Sequence, residues 1–281
     1  MPALSVTVAG QPFDMMQYNA AESLTGIFFK SAYDAFNFEN NVLTKITDAD
    51  YPGWSTVTPT SITRSGSTAT VTLPSAVNWE SGATATVAGA AETEYNGDFV
   101  ISVTDSTHFT YTVTGTPATP ATGTITIKCG RTTVPGIVYL DSYFFVMDTN
   151  AVIYNSALND PTTWDALDII TAEKEPGAGV ALAKSQSYVI ALKEWSTEFF
   201  YNNANSPGSP LEPVLSAFTL VGCASGESVA ALDETIYWVS RARQQGPAVH
   251  RMAGLEQTKI STPDVDRILA ADALDDVYSY G

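Results

Sequence analysis

The chain has 281 residues, with 13 Lys or Arg against 30 Asp or Glu and a formal net charge of −17 at pH 7. That length allows about two domains, and 44% hydrophobic against 15% charged residues excludes a disordered chain. The negative surplus repels a phosphate backbone, which excludes a freely diffusing nucleic-acid binder and leaves only contact with confined DNA.

No window approaches the roughly 18 apolar residues of a membrane helix. The weak apolar stretch at the N-terminus follows no basic segment, so no secretory signal is read. Cys129 and Cys223 stand far apart without metal or redox spacing, and they read as buried free thiols of a protein made in a reducing compartment.

In chain order, residues 24–47 offer a partial unit of short strands around Gly26-Ile-Phe-Phe and Ala35-Phe-Asn-Phe. Composition then changes. Across residues 58–127 about a third of the side chains are Ser or Thr and only Arg64 is basic. The threonines alternate with apolar residues over 68–73, 84–87, 99–103, 109–113 and 125–127, between Ser-Gly, Asn-Gly and proline-bearing turns. About five short antiparallel strands in such a block predict a small β-sandwich or barrel, inserted into the surrounding sequence.

Beyond the insert a longer repeat appears. Units beginning at Val138, Val180 and Val229 each predict an apolar strand, an aromatic strand and a third strand, at a spacing of roughly 42 to 49 residues, within the range of β-propeller blades. A blade cannot bury both faces of its sheet alone. Three and a half units do not close a ring, so the chain reads as one piece of a longer protein. One helix is predicted over residues 263–277, opened by Ser261-Thr262-Pro263-Asp264, with Val265, Ile268, Leu269 and Ala273 on one face.

The expected class is therefore all-β, a partial or complete β-propeller with an inserted β-sandwich. Its expected parts are residues 1–57, the insert 58–133, and 134–281.

Little in the sequence points to catalysis. His108 and His250 stand alone, without the spacing of a zinc site or a nucleophilic relay. No glycine-rich phosphate loop is present. Asn159, Asp160, Thr163 and Trp164 resemble a distorted Asp-box, whose Asp accepts backbone N–H bonds above a packed Trp; that role is structural. Arg241, Arg243 and Arg251 are the only close-set basic group, weak support for a carboxylate-binding cluster. Asp48/Asp50 and Asp275/Asp276 read as turn and helix-end charges rather than cation ligands. Trp195, Tyr201, Tyr237 and Trp238 read as packing residues before a sugar-stacking platform. No catalytic, cofactor-binding or metal residue is expected, and no enzymatic activity.

Several stretches read together resemble one family. They are residues 43–53 (Leu-Thr-Lys-Ile-Thr-Asp-Ala-Asp-Tyr-Pro-Gly), 139–146 (Tyr-Leu-Asp-Ser-Tyr-Phe-Phe-Val), 155–168 (Asn-Ser-Ala-Leu-Asn-Asp-Pro-Thr-Thr-Trp-Asp-Ala-Leu-Asp), 192–202 (Leu-Lys-Glu-Trp-Ser-Thr-Glu-Phe-Phe-Tyr-Asn), Gly222-Cys-Ala-Ser and Lys259-Ile-Ser-Thr. In this order they are similar to the packaged-DNA stabilisation proteins, the tail hub or nozzle components, of short-tailed phages. The likeness covers about residues 24–57 and 134–281, and the block between resembles threonine-rich Ig-like insertions of virion proteins.

The resemblance implies a propeller subunit assembled as a ring, a hexamer, below the portal and adaptor. Such a ring closes the DNA exit channel of a virion tail assembled in the host cytoplasm, in transient non-specific contact with packaged DNA and with no membrane partner. It carries over no catalytic residue. Relative to the family, residues 1–21 lack the longer start, and the stop after residues 277–281 (Val-Tyr-Ser-Tyr-Gly) comes where another strand is due. The alternative from the residues alone is a propeller that binds or hydrolyses glycans, with the insert as an accessory carbohydrate module. That enzyme needs two carboxylates converging in one pocket.

Overall fold

The computed structural model describes residues 14–19, 25–77, 79–271 and 274. These fall into two compact units, one holding the residues up to Ile46 and from Thr133 onward, the other Thr47–Thr132.

The first unit contains four antiparallel sheets, taken consecutively along the chain. β1 (Asp14–Asn19), β2 (Thr25–Lys30), β3 (Ala35–Glu39) and β4 (Val42–Lys45) form the first, in the order of the chain. The second unit follows with β5 (Trp54–Val57), β6 (Ser61–Ser65), β7 (Thr68–Thr72), β8 (Thr84–Ala90), β9 (Gly97–Val100), β10 (Ser102–Asp105), β11 (His108–Thr112) and β12 (Gly123–Gly130).

The chain then returns to the first unit. β13 (Val138–Leu140), β14 (Tyr143–Met147), β15 (Val152–Ala157) and β16 (Asp160–Thr171) make its second sheet, and β17 (Gly179–Ser185), β18 (Tyr188–Lys193), β19 (Thr197–Asn202) and β20 (Leu211–Thr219) its third. In the fourth, β21 (Gly222–Cys223) and β22 (Ala230–Leu232) both pair with β23 (Thr235–Arg241), followed by β24 (Val249–Ala253) and β25 (Glu256–Lys259).

These sheets are the blades of a β-propeller. Within them successive strands meet through two-residue turns that hold both residues at positive φ: Asn40-Asn41, Asp141-Ser142 and Asp233-Glu234. Such turns match the twist of paired strands, and the small polar residues tolerate the left-handed region.

Period-two alternation explains why neighbouring blades are required. In the third blade Leu182, Val189, Ala191 and Phe200 pack with Val138, Phe145, Met147 and Ile153 of the second. The alternate residues Ala181, Ile190, Leu192 and Phe199 pack with Cys223, Ile236, Trp238 and Met252 of the fourth. Both faces of this sheet are buried, so its central strand reads as an unbroken apolar run. Adjacent phenylalanines of β14 divide in the same way: Phe145 faces the third blade, while Phe144 meets Tyr18 and Phe28 of the first edge-on, at centroid distances of 4.8 and 5.4 Å.

The inserted unit has two four-stranded sheets, β10-β11-β7-β6 and β5-β12-β8-β9. They share a core of Ile62, Val71, Val87, Tyr95, Phe109, Tyr111 and Ile127. Threonine hydroxyls take the outer positions, as the alternation predicts: Thr63, Thr70 and Thr110 lie side by side across one sheet.

Four expectations change. Each of the later three blades has an additional outer strand, and β1 completes the first sheet. The predicted strand 99–103 divides at the buried Ile101, whose backbone bonds to Gly82 and Ala83 while β9 and β10 join different sheets. The boundary expected at residue 58 moves back, because Trp54–Val57 pairs with residues 127–130 of the insert. Finally, the helix spans only Pro263–Leu269 and buries none of its residues; seven residues without a packed face make a marginal helix. Ala273 and residues 275–281 lie outside the described residues, as do residues 1–13.

The flanks of the insert are anchored on one turn, since Ile46 N–H donates to Ala35 O and Thr133 N–H to Ala32 O, both at 2.9 Å. Replacing residues 47–132 by a short glycine-serine linker should leave a folded propeller unit. The excised segment, with its own core, should also fold alone. Cooperative thermal unfolding of both products is the expected result.

Candidate functional site

The second strand of every blade ends on, or directly before, a charged side chain: Lys30, Asp148, Lys193 and Arg241. All four close an apolar run at the same place in the repeat. Lys30 is 1% exposed; its ammonium donates to Val134 O at 2.6 Å and pairs with Asp14 Oδ2 at 3.0 Å. Burial lowers its pKa, and Asp14 opposes that shift. Asp14 also accepts the Gly136 N–H at 3.0 Å. Glu227 lies near enough to interact with both, its carboxyl raised first by burial and then by the charge of Asp14. The first, second and fourth blades therefore meet through one ionic cluster.

Asp148 is buried in the second blade, where Oδ1 accepts the N–H groups of Asn150 and Val152 at 2.9 and 3.0 Å, and Oδ2 the Tyr154 hydroxyl at 3.0 Å. Lys193, in the third, donates to Ala172 O at 2.6 Å, to Glu175 O, and to Glu198 Oε1 at 3.3 Å. Glu198 Oε1 also accepts the Lys174 N–H at 3.1 Å. These contacts hold turns in place and satisfy buried carbonyls. Sequence reasoning passed over these residues, although a charge ending each of four apolar runs was there to be read.

The fourth member, Arg241, borders a cleft of about 300 Å³ lined by Glu175, Trp195, Leu220, Val221, Arg243 and Gln245 among others. Its guanidinium bonds Glu194 Oε1 at 3.3 Å and lies 5.7 Å from the Trp195 ring centre; that of Arg243 lies 5.8 Å from the same ring. Arg251 does not join them. It pairs with Tyr237, four residues along β23 from Arg241, or about 13 Å at strand spacing. The aromatic residues likewise form no platform: Trp238 points into the core, Tyr237 outward, and Trp195 lies on a turn.

The Asp-box reading agrees with the geometry. Asp160 Oδ1 accepts the Thr162 N–H at 2.8 Å and the Thr162 hydroxyl at 2.6 Å, and Oδ2 accepts Thr163 Oγ1 at 2.8 Å. Burial raises this carboxyl, but the threonine bonds outweigh it and leave it below the usual range. Trp164 is buried and donates to Pro161 O at 2.9 Å.

In the insert, Asp48 Oδ1 accepts the Asp50 N–H at 2.9 Å, a turn contact; Asp275 and Asp276 lie outside the described residues. Cys129 and Cys223 are free and buried, and burial pushes both thiols up to about 11, far from a reactive thiolate. Among the described residues no three His, Cys, Asp or Glu side chains gather around a metal position, and no helix is long and apolar enough to cross a membrane.

His108 Nδ1 lies 2.9 Å from Asp105 Oδ1 on a hairpin of the insert. His250 is buried against Trp238, with Nδ1 2.8 Å from Gln257 Nε2. Burial, then the Lys259 ammonium, lowers its pKa from 6.5, so the folded chain binds fewer protons than the unfolded one. Stability is complete above the unfolded value and falls as pH drops from about 6.5 through the folded pKa. Melting temperatures measured from about pH 7.5 down to about pH 5 should therefore fall less steeply for His250→Gln than for the wild type. Equal slopes would contradict this assignment.

No curated protein matches the chain. One solved structure that matches is the phage phi92 endosialidase, at 12% identity and a TM-score of 0.25, over 88% of this chain and 46% of the other. The chain thus spans under half of that protein, and a superposition of this quality carries no functional argument. A family described as bacteriophage P22 Gp10, beta-propeller, matches residues 69–280, starting inside the insert and running through the second, third and fourth blades. With consecutive antiparallel blades on the page and well over half of the sequence matched, the chain belongs to this phage beta-propeller family.

Proposed function

We propose that the chain is a subunit of a tail hub or nozzle ring, six copies of which continue and close the DNA exit channel below the portal and adaptor of a virion. The observation that carries this reading is the agreement between the family match and the repeated blades, in which charges at equivalent places of the repeat, Lys30, Asp148 and Lys193, are engaged by groups of the chain itself. The charge of −17 suits the role: an acidic channel wall repels DNA at short range, within a Debye length of about 8 Å at physiological salt, and so limits sticking during ejection.

Particles assembled without this protein should fill with DNA and then lose it, whereas particles made with the chain lacking residues 47–132 should retain it. Normal DNA retention in the absence of the protein would overturn the reading. A mapped channel wall with net positive charge would remove the electrostatic part. The glycan-cleaving alternative needs two carboxylates converging in one pocket; the buried Asp148 and Glu198 do not supply that pair, since each is engaged by donors of its own blade.

A further inference from the structure

The outer strands of the second and third blades carry the same irregularity. In the second, Tyr154 pairs with Ile169 and Ser156 with Trp164, so Asn155 alone opposes residues 165–168. In the third, Glu198 pairs with Phe218 and Phe200 with Pro213, so Phe199 alone opposes residues 214–217. Each four-residue bulge pushes a leucine into water, Leu167 at 76% and Leu215 at 79% exposure.

Both ledges are held in shape. The Leu167 N–H donates to Asp165 Oδ1 at 2.9 Å, and Asn155 Nδ2 to Asp168 Oδ2 at 3.4 Å. On the other blade the Lys174 ammonium donates to Val214 O at 3.1 Å and Leu215 O at 3.4 Å, 5.8 Å from the Phe218 ring. An exposed edge strand is ordinarily blunted by charge. Here residues 213–226 carry none, and Phe218 and Leu220 are exposed beside Leu215.

The two ledges differ in charge. Asp165 and Asp168 flank Leu167, and Asp168 is raised by burial and then by its neighbour, a carboxylate short of a cation. Lys174 lies under the Leu215 ledge, and the strand that carries it runs into the cleft where Arg243 sits over Trp195 without a carboxylate partner among the described residues.

We propose that these ledges form an interface between copies of this chain, with the Asp165/Leu167/Asp168 ledge of one copy seated on the Leu215/Leu220/Arg243 surface of another. A second copy is the occupant the charges favour. Bodies of net charge −17 repel one another except where one offers an uncharged strip with cations and the other matching carboxylates. The inference deepens the ring reading by naming its contact, and does not require six copies.

The test uses the purified 281-residue chain in sedimentation velocity at rising concentration. Wild type should self-associate. Leu215→Glu should weaken association by about tenfold or more, with an unchanged melting temperature, since this side chain packs on little within its own fold. Asp165→Lys and Arg243→Glu should each weaken self-association, and an equimolar mixture of the two should form mixed complexes better than either alone. A wild-type chain that stays monomeric, a Leu215→Glu chain that associates like wild type, or a mixture no better than its components would each overturn the proposal. A monomeric chain would leave the tail reading intact, and a tail without a ring of this protein would leave the interface intact, so the two failures are distinguishable.

Discussion

Replacing Lys193 by methionine should destabilise the protein by about 3–5 kcal/mol, because it removes one half of a buried ion pair and leaves the other uncompensated. Lys193 and Glu198 are 2% and 3% exposed, and all three ammonium protons have acceptors: Ala172 O, Glu175 O and Glu198 Oε1. Without the ammonium, Glu198 retains the Lys174 N–H and two loop carbonyls lose their donor. Taking a carboxylate out of water with one remaining partner costs more than the methionine side chain regains by packing.

The double variant Lys193→Met/Glu198→Gln should lose less than the sum of the single variants, with a coupling of about 1 kcal/mol or more, because the second change removes the stranded charge. Urea denaturation of the four proteins measures the cycle. A single-variant loss below about 1 kcal/mol would show that water reaches the pair.

The second large effect is expected at Gly136, where the chain enters the second blade. Its φ is +103°, and a β-carbon there would lie 1.8 Å from the backbone oxygen of Leu182 in the third blade. A backbone atom cannot swing aside as a flexible side chain can. Relief would require the blades to separate, breaking the 2.9 Å bond from Leu182 N–H to Pro135 O and the bond from Gly136 N–H to Asp14. Gly136→Ala should therefore cost about 3–5 kcal/mol, from a strained backbone and lost inter-blade bonds together. Gly66→Ala is the control: it shares a positive φ, +61°, but has nothing within 4 Å. It should cost about 1–2 kcal/mol, the conformational part alone. Equal losses at the two sites would show that no close packing exists at Gly136.

What could be read in the sequence follows from which surfaces are buried. The central strands are apolar on both faces, as in Tyr188–Lys193, and stand out as continuous runs at a repeating interval. The insert is legible for the opposite reason, since each strand buries one face and alternates threonine with apolar residues. Outer strands have neither signature. β25 is Glu-Gln-Thr-Lys, and the bulges in β16 and β20 break the alternation that would have marked them.

The start of the insert was hidden because Trp54–Val57 takes its place only through pairing with residues 127–130 far along the chain, a contact that leaves no local pattern. At the candidate site, the Asp-box residues carried their structural role in plain view through the short spacing from Asp160 to Trp164. The ionic cluster sets Asp14 and Lys30 of the first blade near Glu227 of the fourth, and only the folded chain brings those residues together.

The most direct test of the central claim is a density map of the tail of an assembled particle, read at a resolution that separates strands. The account predicts several copies of this chain around the channel axis at the end of the portal assembly, each with its consecutive antiparallel blades in the density. Density that places the chain away from that axis, as a peripheral attachment or outside the tail altogether, would contradict it.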